Sequence, residues 1–414
     1  MTLQAREQDM ERQFGRMRRP LKRFAIGALS LFLLGGFATT VQAQTPSADG
    51  AAGQGGAAAR PAPQRGAAFA MTNVTGDNRI VTYRRAEDGA LTRVGRISTR
   101  GSGIGTDLDS QGGLRLSADH RFLYAVNAGS DDVSVFSVAG ANLTFLQKVA
   151  AGDSPISLTL HADLLYVLDG SVAGNGIRGF RVASDGTLSP LPDSFRALSS
   201  PIAVPGDIEF SPDGRVLLVT QKTTNVLLSP QNAIDAFTVG SDGLASASPR
   251  RNASAGLRPF SLAFRDDGKL VVAESFNAAP SRSALSSYEL APNGRLTVES
   301  SSIRNFQTDT CWVIVSLDGK YAYTANFGSG TISSYRFTAQ GSVHLLDGAA
   351  AFLGDMSQPV DLALSADGHS LHLLLRGTGA VASFGIAEDG SLQPLGVVTG
   401  ALPVADGASG LAVY

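Results

Sequence analysis

From about residue 67 onward the chain runs in short stretches where apolar positions alternate with small or polar ones, broken by Gly, Asp and Asn. Alternation over such lengths is the pattern of a half-buried strand, and the glycine-rich breaks read as tight turns. The stretch "DIEFSPDGRVLLVTQ" (Asp207–Gln221) shows the unit: a strand, a turn and a second strand. A third strand follows, in which an aliphatic residue precedes an aromatic by three positions, as in "VSVF" (Val133–Phe136) and "ISSY" (Ile332–Tyr335). A turn and a last apolar stretch, such as "DGTLSPL", complete it. The third-strand signature starts at Ile80, Val133, Ile177, Ile234, Leu285, Ile332 and Val381, seven copies spaced by 44 to 57 residues. No useful amphipathic helical stretch separates them.

Each copy therefore predicts four short strands, A to D, and a single such sheet would leave two apolar faces in water. Packing sheet on sheet in a ring removes that exposure, so the pattern predicts an all-β, seven-bladed β-propeller over residues 67–414, with four strands per blade. The two ends of the chain point to closure. The first copy begins at strand B ("AFAMTN", from Ala68), and the missing strand A stands last in the chain as "GLAVY" (Gly410–Tyr414). The C-terminal strand is thus expected to supply the inner strand of blade 1. An open solenoid would not need a repeat split between the two ends.

Composition narrows the class. The formal net charge is −2 over 414 residues, which excludes a basic nucleic-acid binder and an acidic disordered tail. With Cys311 as the one cysteine, no disulfide framework within the chain is possible. Ahead of the repeats, Arg18, Arg19, Lys22 and Arg23 precede an apolar run from Phe24 to Phe37, which ends in the small-x-small pattern Val41-Gln42-Ala43. That is a secretory signal peptide over 1–43. The adjacent arginines also fit a twin-arginine leader, and Met1 and Met17 both fit as the start. Residues 44–66 have almost no large apolar side chain and read as a flexible linker. The mature chain is expected to be a periplasmic or secreted monomer without a membrane span, its partner a small molecule.

The grammar "S-x-D-G-x-x-x-Y-x-x-N-x-x-S-x-x-[IV]-S-x-[FY]", with "DGxL" after it, resembles the lactonase family of seven-bladed propellers, which includes 6-phosphogluconolactonases and carboxymuconate-lactonizing enzymes. The resemblance covers nearly all of 67–414, but it lies in turn and packing residues, so chemistry has to come from the site. In such a ring the turns entering strand A and leaving strand B share one face, the top. Leaving strand B are Asn73, Asn127, Asp169, Gln221, Glu274, Asn326 and Arg376; entering strand A are Asp207, Arg258, Asp309, Thr310 and Asp361. Most of the Asn and Asp members suit turn stabilisation. Glu274 and Arg258, both from blade 5, suit an ordinary surface ion pair or a carboxylate base beside an oxyanion-stabilising cation.

The resemblance implies a mouth with histidine, arginine and glutamate, yet His120, His161, His344, His369 and His372 all fall away from the top by register. The catalytic set expected is Glu274 and Arg258 with Asp207, and Gln221, Asn326 and Arg376 are candidate substrate contacts. No cofactor is assigned. An oxygen-rich ring of Asn73, Asn127, Asp169, Glu274 and Asn326 leaves calcium as an alternative. Cys311 is expected to be a buried structural thiol, because no histidine is near to activate it.

Two readings follow. One is an exported lactonase-like hydrolase of a small sugar-acid or aromatic-acid lactone. The other is a non-catalytic propeller that binds a ligand, a cell-wall component or a protein. Both share the exported location, which is directly testable: amino-terminal sequencing of the exported protein should begin at Gln44. A soluble cytoplasmic species starting at Met1 or Met17 is the contrary result.

Overall fold

Strand B in each repeat carries apolar side chains on both of its faces, and such a strand is stable only with a sheet on either side. The computed structural model describes residues 64–172, 174–222, 232–404 and 407–414. The leader and residues 44–63 of the expected linker lie outside the described residues. Seven antiparallel sheets follow in chain order. Their inner strands Leu114–Leu116, Pro155–His161, Pro205–Phe210, Pro259–Phe264, Thr310–Val315, Pro359–Leu364 and Leu411–Val413 touch in cyclic order, which closes the ring. Strand B is buried along its whole length in Phe122–Asn127, Leu164–Asp169, Val216–Gln221, Tyr321–Asn326 and Ser370–Leu375. The outermost strand of blade 2, Asn142–Ala150, instead alternates between exposed and half-buried positions. In blade 3 the outer edge is split into Leu188–Pro190 and Arg196–Ala197, both paired with Gly176–Val182.

Blade 1 is assembled from both ends of the described chain, as the split repeat predicts. Leu411–Val413 pairs antiparallel with Gln64–Met71, Ala68 lying opposite Val413 and Ala70 opposite Leu411. The pairing of Gln64–Met71 with Arg79–Ala86 begins at Gln64 opposite Ala86, inside the segment read as linker. Backbone pairing needs no apolar side chain, so composition could not mark that boundary.

The repeated residues turn out to be fasteners between neighbouring blades. Tyr124, Tyr166 and Tyr323, all on strand B, donate their hydroxyls to the carbonyls of Gly186, Gly243 and Gly390 in the C–D turn of the next blade, at 3.0, 2.8 and 2.9 Å. Asn252 does the same for Gly294, at 3.0 Å, and Arg265 for Thr338, at 3.2 Å. Tyr414 completes the series from the C-terminal end. Its hydroxyl donates to the carbonyl of Gly140 in blade 2 at 3.1 Å, and its ring stacks on His120. At the seam between blades 7 and 1, the buried Arg85 pairs with Asp367 at 3.0 Å. Just before the closing strand, the Gly410 amide donates to the carboxyl of Asp361 in blade 7, at 2.6 Å.

Removing Gly410–Tyr414 therefore takes away an inner strand, a fastener and the burial of Leu411 and Val413, worth about 1.5–3 kcal/mol for each side chain. It also leaves a paired strand as a bare edge. The expected outcome is aggregation, or a melting temperature lower by about 10 °C or more. Deletion of 44–60 should leave the melt unchanged, and equal melts for both truncations would contradict the closure.

Candidate active site

The top mouth is shaped by backbone before side chains. In five blades the first residues of strand A carry a register shift, as between Pro205 and Ile208, Pro259 and Leu262, and Thr310 and Trp312. A bulge of this kind re-aims the side chains beside it. Just ahead of four of these bulged strands, Ser154 (φ 58°), Arg258 (φ 55°), Asp309 (φ 57°) and Gln358 (φ 48°) hold left-handed backbone, unusual for residues other than glycine.

A long connection crosses the mouth. Residues 99–113 run from the outer strand of blade 1, Leu91–Ser98, to the inner strand of blade 2, whereas the corresponding connections at 151–154, 254–258 and 305–309 are short. This strap is anchored in several blades. The Ser110 hydroxyl donates to the Ile156 carbonyl at 2.8 Å, and the Ser110 carbonyl accepts the indole N–H of Trp312 at 2.9 Å. The Gln111 backbone N–H donates to the Gly206 carbonyl, and its side-chain Oε1 accepts the Val313 amide, both at 3.0 Å. Gln111 thus spans the bore from blade 2 to blades 4 and 6. Below it lies a cavity of about 270 Å³ lined by Arg115, Glu209 and Asp361 among others.

Beside this anchor the strap presents Asp107 and Asp109 to the cations of the mouth. Asp109 Oδ2 lies 2.8 Å from Lys222 Nζ and 3.1 Å from Arg258 Nη2. Lys222 also donates to the backbone carbonyl of Asp109, and Arg376 pairs with Asp107. An aromatic floor supports these cations. Lys222 sits 4.3 Å from the centre of the Phe260 ring and Arg376 4.5 Å from that of Phe327, with Trp312 in contact with both rings. Cation–π attraction holds such groups in place without adding charge.

The carboxyls of the mouth differ in character. Burial opposes ionisation of Asp109, but Lys222 and Arg258 outweigh it and hold the group below the usual carboxylate range. Burial raises Asp309 above that range, against a hydrogen bond from Cys311 Sγ (3.3 Å) and the field of Arg258. Asp309 is half-buried and has no ion-pair partner among the described residues. The Cys311 thiol is buried and pushed well up by burial, with Asp309 and Asp109 adding to it, so it stays protonated at neutral pH.

Of the residues singled out from sequence, the structure brings Arg258 and Arg376 to the mouth. The expectation for Glu274 is corrected: it is fully buried inside blade 5, where Oε1 accepts Ser286 Oγ at 2.5 Å and Oε2 accepts Ser302 Oγ at 2.7 Å. The Gly256 amide adds a third bond, and a Cβ at Gly256 would overlap the Glu274 carboxyl. Burial pushes Glu274 up to about 7 against these bonds. Asn326 holds the same place in blade 6, bonded to Asn305, Thr310, Thr331 and Ser333, and Gln221 donates to Ser199 in blade 4. These side chains fasten strand B to its own blade and its loops. Asp207 faces the bore, bonded by the Leu262 amide and Gln111 rather than open to the mouth. Burial and the neighbouring Glu209 raise it well above the usual range, with Arg115 opposing. The histidines keep away from the mouth: His372, for example, is buried between Ser370 and Ser383. Lys222, Asp107 and Asp109 were not singled out from sequence.

The geometry is that of a seven-bladed propeller with a small polar mouth on an aromatic floor. Residues 62–204 match the model of a family described as Lactonase, 7-bladed beta-propeller, so the resemblance noted in the sequence is found again across the first three blades. No curated protein sequence matches the chain significantly. Among solved structures, a protein of Lactobacillus plantarum is similar with a TM-score of 0.65 at 18% identity, covering 85% of this chain and 99% of that one. A candidate 6-phosphogluconolactonase of Bacteroides fragilis gives 0.62 at 20%, covering 84% and 97%. The periplasmic gluconolactonase of Pseudomonas aeruginosa gives 0.61 at 17%, covering 84% and 98%. At such identities these likenesses establish the fold alone.

The buried position of Glu274 has a consequence for pH. A carboxyl raised from 4.5 to about 7 on folding contributes stability that is complete below about pH 4.5 and is lost as pH rises through 7. Glu274→Gln should flatten that decline in thermal melts between pH 4.5 and 7.5 while leaving any turnover close to wild type. A loss of turnover of about a hundredfold would instead return Glu274 to the chemistry.

Proposed function

We propose that the chain is a lactonase-type hydrolase, exported from the cytoplasm, that opens a small sugar-acid lactone at the top mouth. The observation that carries this reading is the position of Asp309, a half-buried carboxyl raised in pKa by burial and in no ion pair among the described residues, within the field of Arg258. A base works best when its pKa approaches the working pH, and a fixed cation works best where negative charge develops. Asp309 takes a proton from water as the water oxygen attacks the lactone carbonyl. Arg258 faces the oxyanion that forms. When the ring C–O bond breaks, the departing alkoxide recovers the proton from Asp309. One water is consumed and one hydroxy acid is released, so no redox partner is needed. The family match and the periplasmic gluconolactonase among the similar folds support the reaction class, and the leader supports the location.

A panel of sugar-acid and aromatic-acid lactones, assayed with the chain lacking residues 1–43, tests the reading. Asp309→Asn should lower kcat by about a hundredfold or more with KM little changed, the usual loss for a general base. Arg258→Ala should lower kcat by a similar factor. Hydrolysis that survives both substitutions would remove these residues from the mechanism. A folded wild type that opens no lactone of the panel would leave the non-catalytic ligand-binding propeller as the reading.

A further inference from the structure

An acid-bearing ligand needs a cation that is not already neutralised. At this mouth Lys222, Arg258 and Arg376 all carry a carboxylate from one strap, Asp109 holding the first two and Asp107 the third. The arrangement is fixed rather than incidental. Ser110 and Gln111, the next two residues of the strap, are tied to the blades around the bore, and Leu108 between the two aspartates is buried in the core. Lys222 is only 1% exposed in its side chain, so its charge is stable only with Asp109 in place.

We propose that Asp107 and Asp109 are specificity-determining residues that occupy the seats an anionic substituent would take, so that the mouth selects uncharged polyhydroxylated lactones and rejects phosphorylated or carboxylated ones. The inference rests on the lactone reading above and deepens it. Paired charges still serve an uncharged sugar well, because carboxylates accept and guanidinium groups donate hydrogen bonds to hydroxyls. Of the floor, the half-buried Phe327 offers an apolar surface to the C–H face of a sugar ring, with the buried Trp312 packed behind it. Selection of this kind also suits the reaction. The product hydroxy acid is a full anion, and cations that each already bond a carboxylate of the strap hold it weakly.

The test measures binding directly and needs no turnover. Calorimetry with gluconate, 6-phosphogluconate and inorganic phosphate as probes is run on the wild type, Asp107→Asn and Asp109→Asn. Asn is isosteric with Asp and tolerates the left-handed backbone of residue 109 (φ 51°). The wild type should bind 6-phosphogluconate no more tightly than gluconate. Each folded variant should gain about tenfold or more for 6-phosphogluconate, the worth of one freed charge-assisted contact, and change less than about threefold for gluconate. The gain of Asp107→Asn should vanish when Arg376→Gln is added. Asp109→Asn leaves Lys222 buried without its partner, so melting curves accompany the titrations, and Asp107→Asn, whose partner Arg376 is less deeply buried than Lys222, remains decisive if it does not fold. A wild type that prefers the phosphorylated probe by about tenfold overturns the proposal, as does a folded Asp107→Asn that gains nothing. Absence of lactone hydrolysis would sink the lactonase reading and leave this binding result standing.

Discussion

A four-stranded sheet with apolar side chains on both faces has no stable existence alone, and every feature of this molecule follows from how the ring meets that demand. Each blade is covered by its neighbours, so the ring holds only if the first and last sheets also meet. Three residues, Leu411–Val413, provide that meeting by pairing with Gln64–Met71. The Asp361–Gly410 bond fixes the approach of the closing strand, and Tyr414 binds it onward to blade 2. Nearest-neighbour fasteners such as Tyr124 to Gly186 then make the stability of the ring a sum over interfaces, with one interface built from chain segments about 340 residues apart.

The same fasteners explain what the sequence could and could not disclose. The tyrosine of strand B and the glycine of the next blade's C–D turn recur because each hydrogen-bonds the other's blade, so architecture was legible from their spacing. The strand order and the closing strand follow from the same pattern. Glu274 was misplaced because register brings every residue leaving strand B to the same level without saying which way its side chain turns. A signal was nevertheless present. Ser134, Ser286 and Ser333 each stand second in "VSVF", "LSSY" and "ISSY", and each bonds the residue that ends strand B in its blade: Asn127, Glu274 and Asn326. A carboxylate in a position otherwise taken by asparagine, opposite that serine, is a fastener of the same kind. The strap was missed for a different reason. A register argument treats the connections between blades as equivalent, and 99–113 is the one between blades 1 and 2 that grew long enough to place Asp107 and Asp109 over the bore.

Charge at the mouth is arranged as opposed pairs rather than as a field of one sign, and this sets what the site does with its two unequal carboxyls. Asp109, between Lys222 and Arg258, is held ionised and serves as a structural counter-charge. Asp309 is lifted by burial, which suits it to the proton exchange proposed for it. Two acids on the same rim thus differ in character through their neighbours alone. The buried carboxyls of the bore and of blade 5 are raised for the same cause, burial, but they are enclosed by their partners.

The aromatic floor has a practical side. Trp312 is the sole tryptophan of the chain, and it lies buried beneath the strap, its indole N–H bound to Ser110 and its ring against Phe260. Light emitted by this protein on excitation of tryptophan therefore comes from one known point. Its wavelength responds to the polarity and wetness of that point, and to whether the strap's carbonyl still holds the indole. The molecule carries an internal optical probe beneath the strap, without any label being attached.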